Sequence, residues 1–138
     1  MFIFTWFGFC FMSRDVNLYI LNKAFFGKIN CLKVLMNADK EVYFHLGLLK
    51  KNVGVEEWGW KKVKMSDNEL GEIVNLLNKE VGSCSFFHSF NEKKAQIWCK
   101  KSDKFFNIKI NEVSKNLAVG EFEVLRICLE QCIRMRCF

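Results

Sequence analysis

The feature that most constrains this chain is a change of residue period that happens twice. Residues 67–80 and 121–136 repeat apolar side chains at helical spacing, while the segments before each of them alternate apolar with polar residues. In the first helical segment Leu70, Ile73, Val74 and Leu77 make one apolar stripe, with Ser66 or Asp67 placed to cap its start and Glu69 in its first turn. In the second, Phe122, Leu125, Cys128, Leu129 and Cys132 make the matching stripe, and Arg134 and Arg136 sit at the C-terminal end, where cations are favoured. The helix starts align: Glu69-Leu70-x-x-Ile73 matches Glu121-Phe122-x-x-Leu125. Alternation predicts strands at 17–21, 29–36, 42–49 and 60–65 before the first helix, and at 86–90, 95–101, 105–110 and 115–119 before the second. Turn-forming residues at 37–41 and 100–104 suit hairpins. Four strands and a helix, twice, is an α+β plan in which each helix covers a sheet.

At 138 residues the chain suits one ordinary domain, and fifteen phenylalanines supply ample core. We expect a single domain over 16–138 behind an apolar extension at 1–15. The opening run MFIFTWFGFCFM is too short to span a bilayer and lacks the basic flank of a signal peptide. An edge strand, a membrane-touching tail or an upstream extension with Met12 as the true start would each account for it; a packed or disordered extension is the reading adopted, with no membrane partner. Seven cysteines, an odd number without a C-x-x-C pair, read as reduced and mostly buried thiols. That fits an intracellular, reducing location, cytoplasmic or nucleoid-associated, rather than secretion.

The net charge is +6, which favours anionic partners. The charge is unevenly placed. The two helical segments hold four basic and seven acidic residues, and the rest of the chain holds seventeen basic and eight acidic. The surplus therefore belongs to the strands and their loops.

Strand alternation sorts these residues onto faces. Trp58, Trp60, Lys62 and Lys64 share one face, opposite Lys61, Val63 and Met65. Gln96, Trp98 and Lys100 oppose Ala95, Ile97 and Cys99; Phe105, Asn107 and Lys109 oppose Phe106, Ile108 and Ile110; Tyr43 and His45 oppose Val42, Phe44, Leu46 and Leu48. One face of each strand is plain core. The other mixes rings with Lys, Asn and Gln, as a surface for single-stranded nucleic acid does: bases stack on the rings for about 1–3 kcal/mol each and lysines follow the phosphates. A duplex offers no free base faces to such rings. The competing interpretation makes the tryptophans a second core or an oligomer interface, with lysines reaching past them to water.

Other chemistry has little support. There is no Gly-rich phosphate loop, H-E-x-x-H or G-x-S-x-G. Cys84-x-x-x-His88 and Cys128-x-x-x-Cys132 have the spacing for a zinc site, but the second pair lies on an apolar stripe, where buried thiols are simpler. A Cys–His nucleophile would lack a third orienting group. Neither a metal nor a cofactor is expected, and no catalytic residue is assigned.

Three stretches resemble a known family. WGWKKVKMSDNELGEIVNLL (58–77) is similar to the strand-to-first-helix junction of Whirly-type single-stranded-DNA-binding proteins, SFFHSF (85–90) to the strand that follows, and NLAVGEFEVLRICLEQCI (116–133) to the last strand and closing helix, with Glu121, Phe122, Val124, Leu125 and Arg126 matching its core. The pieces come in the family's order and cover about residues 17 to 136. The resemblance implies two ββββα units with crosswise-packed antiparallel sheets, a fold shared with positive-cofactor-type transcription coactivators. It also implies homo-oligomers, dimers or tetramers built through the helices, with single strands lying over the sheet edges. Of the plant signature Lys-Gly-Lys-Ala-Ala-Leu on an early strand, only Gly27, Lys28 and Leu32 remain.

The expected function is non-enzymatic, largely sequence-independent binding of single-stranded DNA in genome maintenance, replication or transcription. Trp58, Trp60 and Trp98 are the candidate stacking platforms, with Tyr43 and Phe105 beside them. Lys28, Lys33, Lys62, Lys64, Lys94, Lys100 and Lys109 are the candidate phosphate contacts, and Gln96 and Asn107 the candidate hydrogen-bonding groups. RNA binding by the same surface, or a protein-interaction module such as a transcription regulator whose aromatic face is an interface, are the alternatives.

Overall fold

The computed structural model describes residues 19–52, 54–90 and 92–138. The expected extension at 1–15 and the start of the first expected strand lie outside them. The first unit comprises β1 (Tyr19–Phe26), β2 (Asn30–Asn37), β3 (Val42–Asn52), β4 (Val55–Met65) and α1 (Asp67–Leu77). The second comprises β5 (Gly82–Phe90), β6 (Lys93–Lys101), β7 (Phe105–Ile110), β8 (Val113–Ala118) and α2 (Val119–Cys137). Each unit is an antiparallel meander of four strands in chain order. The plan of four strands and a helix, twice, is the one the residue periods predict.

Element ends differ from the sequence reading for local reasons. β4 starts at Val55 rather than near residue 60, because it pairs with β3 along its whole length, to Asn52↔Val55. Opposite charges face each other there, Lys50 against Glu57 and Lys51 against Glu56, the last 3.9 Å apart. β5 starts at Gly82, since pairing with β6 recruits serines of weak strand preference. α1 stops at Leu77, capped by Asn78.

The alignment of the two helix starts has a physical basis. Ser66 Oγ accepts from the Glu69 N–H at 3.2 Å, and Glu69 Oε1 accepts from the Ser66 N–H at 2.9 Å. Glu121 Oε1 closes the second helix in the same way on the Ala118 N–H, at 3.1 Å. In each case the glutamate three residues into the helix satisfies a backbone donor that the helix leaves free.

One core joins both units. Leu32, Val34, Met36, Val42, Phe44, Leu46, Val63 and Met65 of the first sheet meet Ile97, Phe106, Ile108, Ile110, Val113 and Leu117 of the second. Leu70, Ile73, Leu76 and Leu77 of α1 and Phe122, Leu125, Leu129 and Cys132 of α2 complete it. β8 lies against both β2 and β3, so it runs across the first sheet's strands rather than beside one of them. The crossing is held by Asn30 Nδ2 donating to the Ser114 carbonyl at 3.0 Å and by Lys61 and Glu112, 3.0 Å apart. The helices pack on each other, and their closest strands are β5 and β6 for α1, β7 and β8 for α2. Both helices thus sit nearest the second sheet, rather than one on each sheet as the residue periods alone suggest. Arg136 ties the end of α2 to the start of α1, donating to Asp67 Oδ1 at 2.5 Å, and also donates to the Lys40 carbonyl in the β2–β3 turn.

Candidate nucleic-acid interface

With the core on one side of each sheet, the outer faces carry what alternation leaves over. On the second sheet these are Ser83, Ser85, Phe87 and Ser89 of β5, Lys94, Gln96, Trp98 and Lys100 of β6, Phe105, Asn107 and Lys109 of β7, and Ser114 and Asn116 of β8. The three rings are open to solvent: Phe87 is 57% exposed, Trp98 44% and Phe105 39%. Three large apolar side chains exposed on one face make it a candidate binding surface. Lys109 sits directly across from Trp98, its Nζ 5.3 Å from the ring centre. Lys100 faces Asn107, whose Nδ2 donates to Asn116 Oδ1 at 2.7 Å. Gln96 is turned back onto its own sheet, donating to the Phe86 carbonyl at 3.1 Å.

The first sheet's outer face is built differently. Trp58, Trp60, Lys62 and Lys64 of β4 pair with Leu49, Gly47, His45 and Tyr43 of β3, and Lys33 of β2 lies next to His45. The rings here are half-buried because they cover one another. Trp58 and Trp60 stack with centres 5.6 Å apart and planes 23° off parallel. Lys33 Nζ lies 4.6 Å from the Trp60 ring centre, and His45 meets that ring edge-on at 6.5 Å. Gly47 makes this possible, since a Cβ there would come within 2.6 Å of the Trp60 ring. Phe26, 66% exposed, closes the row at the β1 edge.

The charges on this face are partly engaged. Lys64 Nζ bonds Glu41 Oε2 at 2.6 Å, which holds the Glu41 carboxyl below its usual range and raises Lys64. Burial, reinforced by Lys62 and Lys33, pushes the His45 imidazole down to about 4. It is therefore neutral in the folded protein at pH 7, whereas the unfolded chain binds the proton near its ordinary 6.5. Stability rises with pH through the window from about 4 to 6.5 and is lost as pH falls through it. With the ring half-buried, the screened contribution is about 1–2 kcal/mol. Urea unfolding at pH 7 and pH 4.5 should show that loss, and His45→Gln should reduce the difference between the two pH values.

The structure therefore distributes the sequence-selected residues over two faces. Trp58, Trp60, Lys62, Lys64, Tyr43 and Lys33 share the first sheet; Gln96, Trp98, Lys100, Phe105, Asn107, Lys109 and Lys94 share the second. Lys28 belongs to neither and lies in the β1–β2 turn rather than on a strand, as Gly27 N–H bonding the Asn30 carbonyl at 2.7 Å makes plain. Phe87 is an addition, while His45, which alternation already sets beside Tyr43, joins the first face through Lys33 and Trp60. The signal for Phe87 is present in SCSFFHSF, since two adjacent phenylalanines on a strand must face opposite sides.

Elsewhere, His88 Nε2 pairs with Glu69 Oε2 at 2.5 Å, joining β5 to the start of α1. The six cysteines among the described residues are free thiols, and no cluster of three His, Cys, Asp or Glu residues gathers there as a metal site. No helix among the described residues is long and apolar enough to cross a membrane.

The arrangement of these two units matches solved structures. WHY1 from Arabidopsis thaliana superposes with a TM-score of 0.63 over 83% of this chain and 88% of its own, at 17% identity. The chain has the Whirly fold. WHY3 from the same plant superposes with a TM-score of 0.60 at 18% identity, over 82% of this chain and 86% of its own. PBF-2, a plant transcriptional regulator, does so with a TM-score of 0.59 at 17% identity, over 83% and 80%. No protein-family model matches the chain, and no curated protein matches it in sequence. What it shares with the Whirly structures is the path of the backbone.

Proposed function

We propose that this protein binds single-stranded nucleic acid, DNA foremost, through the outer faces of its sheets and largely without regard to sequence, as a non-enzymatic intracellular factor in replication, genome maintenance or transcription. The observation that carries this reading is the exposure of Phe87, Trp98 and Phe105 among Lys94, Lys100 and Lys109 on one sheet face. Rings open on a face stack bases of any identity, and ammonium groups beside them follow the phosphates. The Whirly fold supports it, and PBF-2, a transcriptional regulator, lends the last of the three processes. Homo-oligomers would assemble through the helices, leaving both sheet faces open.

One observation favours a second reading for part of the molecule. Trp58 and Trp60 already stack on each other, so the first sheet's face has the character of an interface for a protein partner.

Salt separates the two. Titrated with fluorescent poly-dT and followed by anisotropy, binding should be tight at low salt and weaken steeply as salt rises, by about 0.7 decade per decade of salt for each phosphate contact. A duplex competitor should displace the strand poorly. A folded protein that ignores poly-dT at low salt would overturn this reading.

A further inference from the structure

The positions of the three exposed rings define a path, and, resting on the single-strand reading above, we propose that the outer face of the second sheet is a diagonal track for four nucleotides. Phe87 pairs with Gln96, and Trp98 is two residues further along β6, so the two rings are diagonal neighbours, about 7–8 Å apart. Trp98 pairs with Lys109, and Phe105 lies four residues back along β7. That offset, with one strand spacing, puts Phe105 about 14 Å from Trp98. The displacement has the same sense along the sheet at each step, so Phe87, Trp98 and Phe105 lie on one oblique line across β5, β6 and β7.

An unstacked strand covers roughly 7 Å per nucleotide, twice the about 3.4 Å rise of a duplex strand. Phe87 and Trp98 are then one nucleotide apart, and Trp98 and Phe105 two. The first, second and fourth bases stack on Phe87, Trp98 and Phe105. The third passes over Lys100 and Asn107, which face each other across β6 and β7 midway in register between Trp98 and Phe105. There the strand meets an ammonium and an amide instead of a ring, so this nucleotide is held by its phosphate and by hydrogen bonds. Ser83 and Ser85, opposite Lys100 and Trp98, are small and exposed and leave room for the bases. Lys94 stands beyond Phe87 at one end, and the exposed Lys104 precedes Phe105 at the other.

The test uses the full chain and oligo-dT from two to eight nucleotides. Affinity should climb steeply to dT4 and then gain only the statistical factor of added placements. Phe87→Ala, an exposed position that should fold normally by circular dichroism, should weaken dT4 binding about 5- to 150-fold, the range of one lost stack. Trp98→Phe should weaken it only modestly, since Phe also stacks, but should abolish the quenching of tryptophan fluorescence on binding. Quenching that survives in Trp98→Phe, together with unimpaired binding by Phe87→Ala, would put the strand on the Trp58–Trp60 face and overturn the track while leaving single-strand binding intact. A wild-type protein that fails to bind even poly-dT would overturn both.

Discussion

Replacing Lys94, Lys100 and Lys109 together by glutamine is expected to cost roughly 100- to 1,000-fold in affinity for poly-dT at about 50 mM salt. The figure follows from counterion release. Each phosphate neutralised on a single strand contributes about 0.7 to the logarithmic salt slope, so three lost contacts flatten that slope by about 2. Extrapolated from molar salt down to about 50 mM, a slope difference of 2 opens a gap of nearly three decades. All three lysines are exposed on the outer face of the second sheet, and glutamine keeps a polar, unbranched stem while removing the charge, so unfolding free energy should move by less than about 1 kcal/mol. The measurement is the slope itself, wild type against variant, from anisotropy titrations at four or five salt concentrations. A slope that does not change would mean that the phosphates run elsewhere. A face that docks a protein through its rings would show a shallow salt dependence in both.

How far the sequence reveals this arrangement depends on how local each cause is. Period is local: Leu70, Ile73 and Leu77 announce a buried helical stripe by their spacing alone, and all are buried. Face is also local, because a strand's side chains alternate whatever it pairs with, and this is why the Trp/Lys mixtures were legible. Pairing is less legible. The start of β4 is set by Lys50 and Lys51 meeting Glu57 and Glu56 across the hairpin, and the mostly polar stretch 50–57 that holds them carries no sustained apolar–polar alternation to announce a strand. The stacking of Trp58 on Trp60 depends on Gly47, thirteen positions upstream, lying under the Trp60 ring. Lys64 has the same local setting as Lys62, yet one is held by Glu41 from the β2–β3 turn. For the same reason, the open rings of the second face and the self-covered rings of the first could not be told apart in the sequence. The helix starts are the intermediate case. Glu69 and Glu121 are recognisable three residues into their helices, but Ala118 gives no side-chain oxygen to complete the second box.

Lys101→Ala is expected to destabilise the protein by about 2–4 kcal/mol. Lys101 is the last residue of β6 and points to the core side of the sheet, where it is only 5% exposed. A charge so buried has to be satisfied, and its Nζ donates to the Lys79 carbonyl just past the end of α1, at 2.5 Å. The same Nζ lies 4.7 Å from the centre of the Phe122 ring in the first turn of α2. One side chain thus ties the turn that follows α1 to the first turn of α2 at the C-terminal end of β6. Around it the two helices leave a cleft of about 550 Å³ lined in part by Leu77, Phe122 and Arg126. Alanine removes the donor and enlarges that cleft, so an orphaned carbonyl and lost packing add together. Lys101→Met separates them: it fills the space without the hydrogen bond and should cost about 1–2 kcal/mol. Urea unfolding of the three proteins gives both differences, and equal stability of Lys101→Met and wild type would show that the methylene stem, not the ammonium, holds this corner together. Because the side chain faces the core, poly-dT affinity of whichever variant folds should stay close to wild type, which separates the stability of the scaffold from the binding of its outer face.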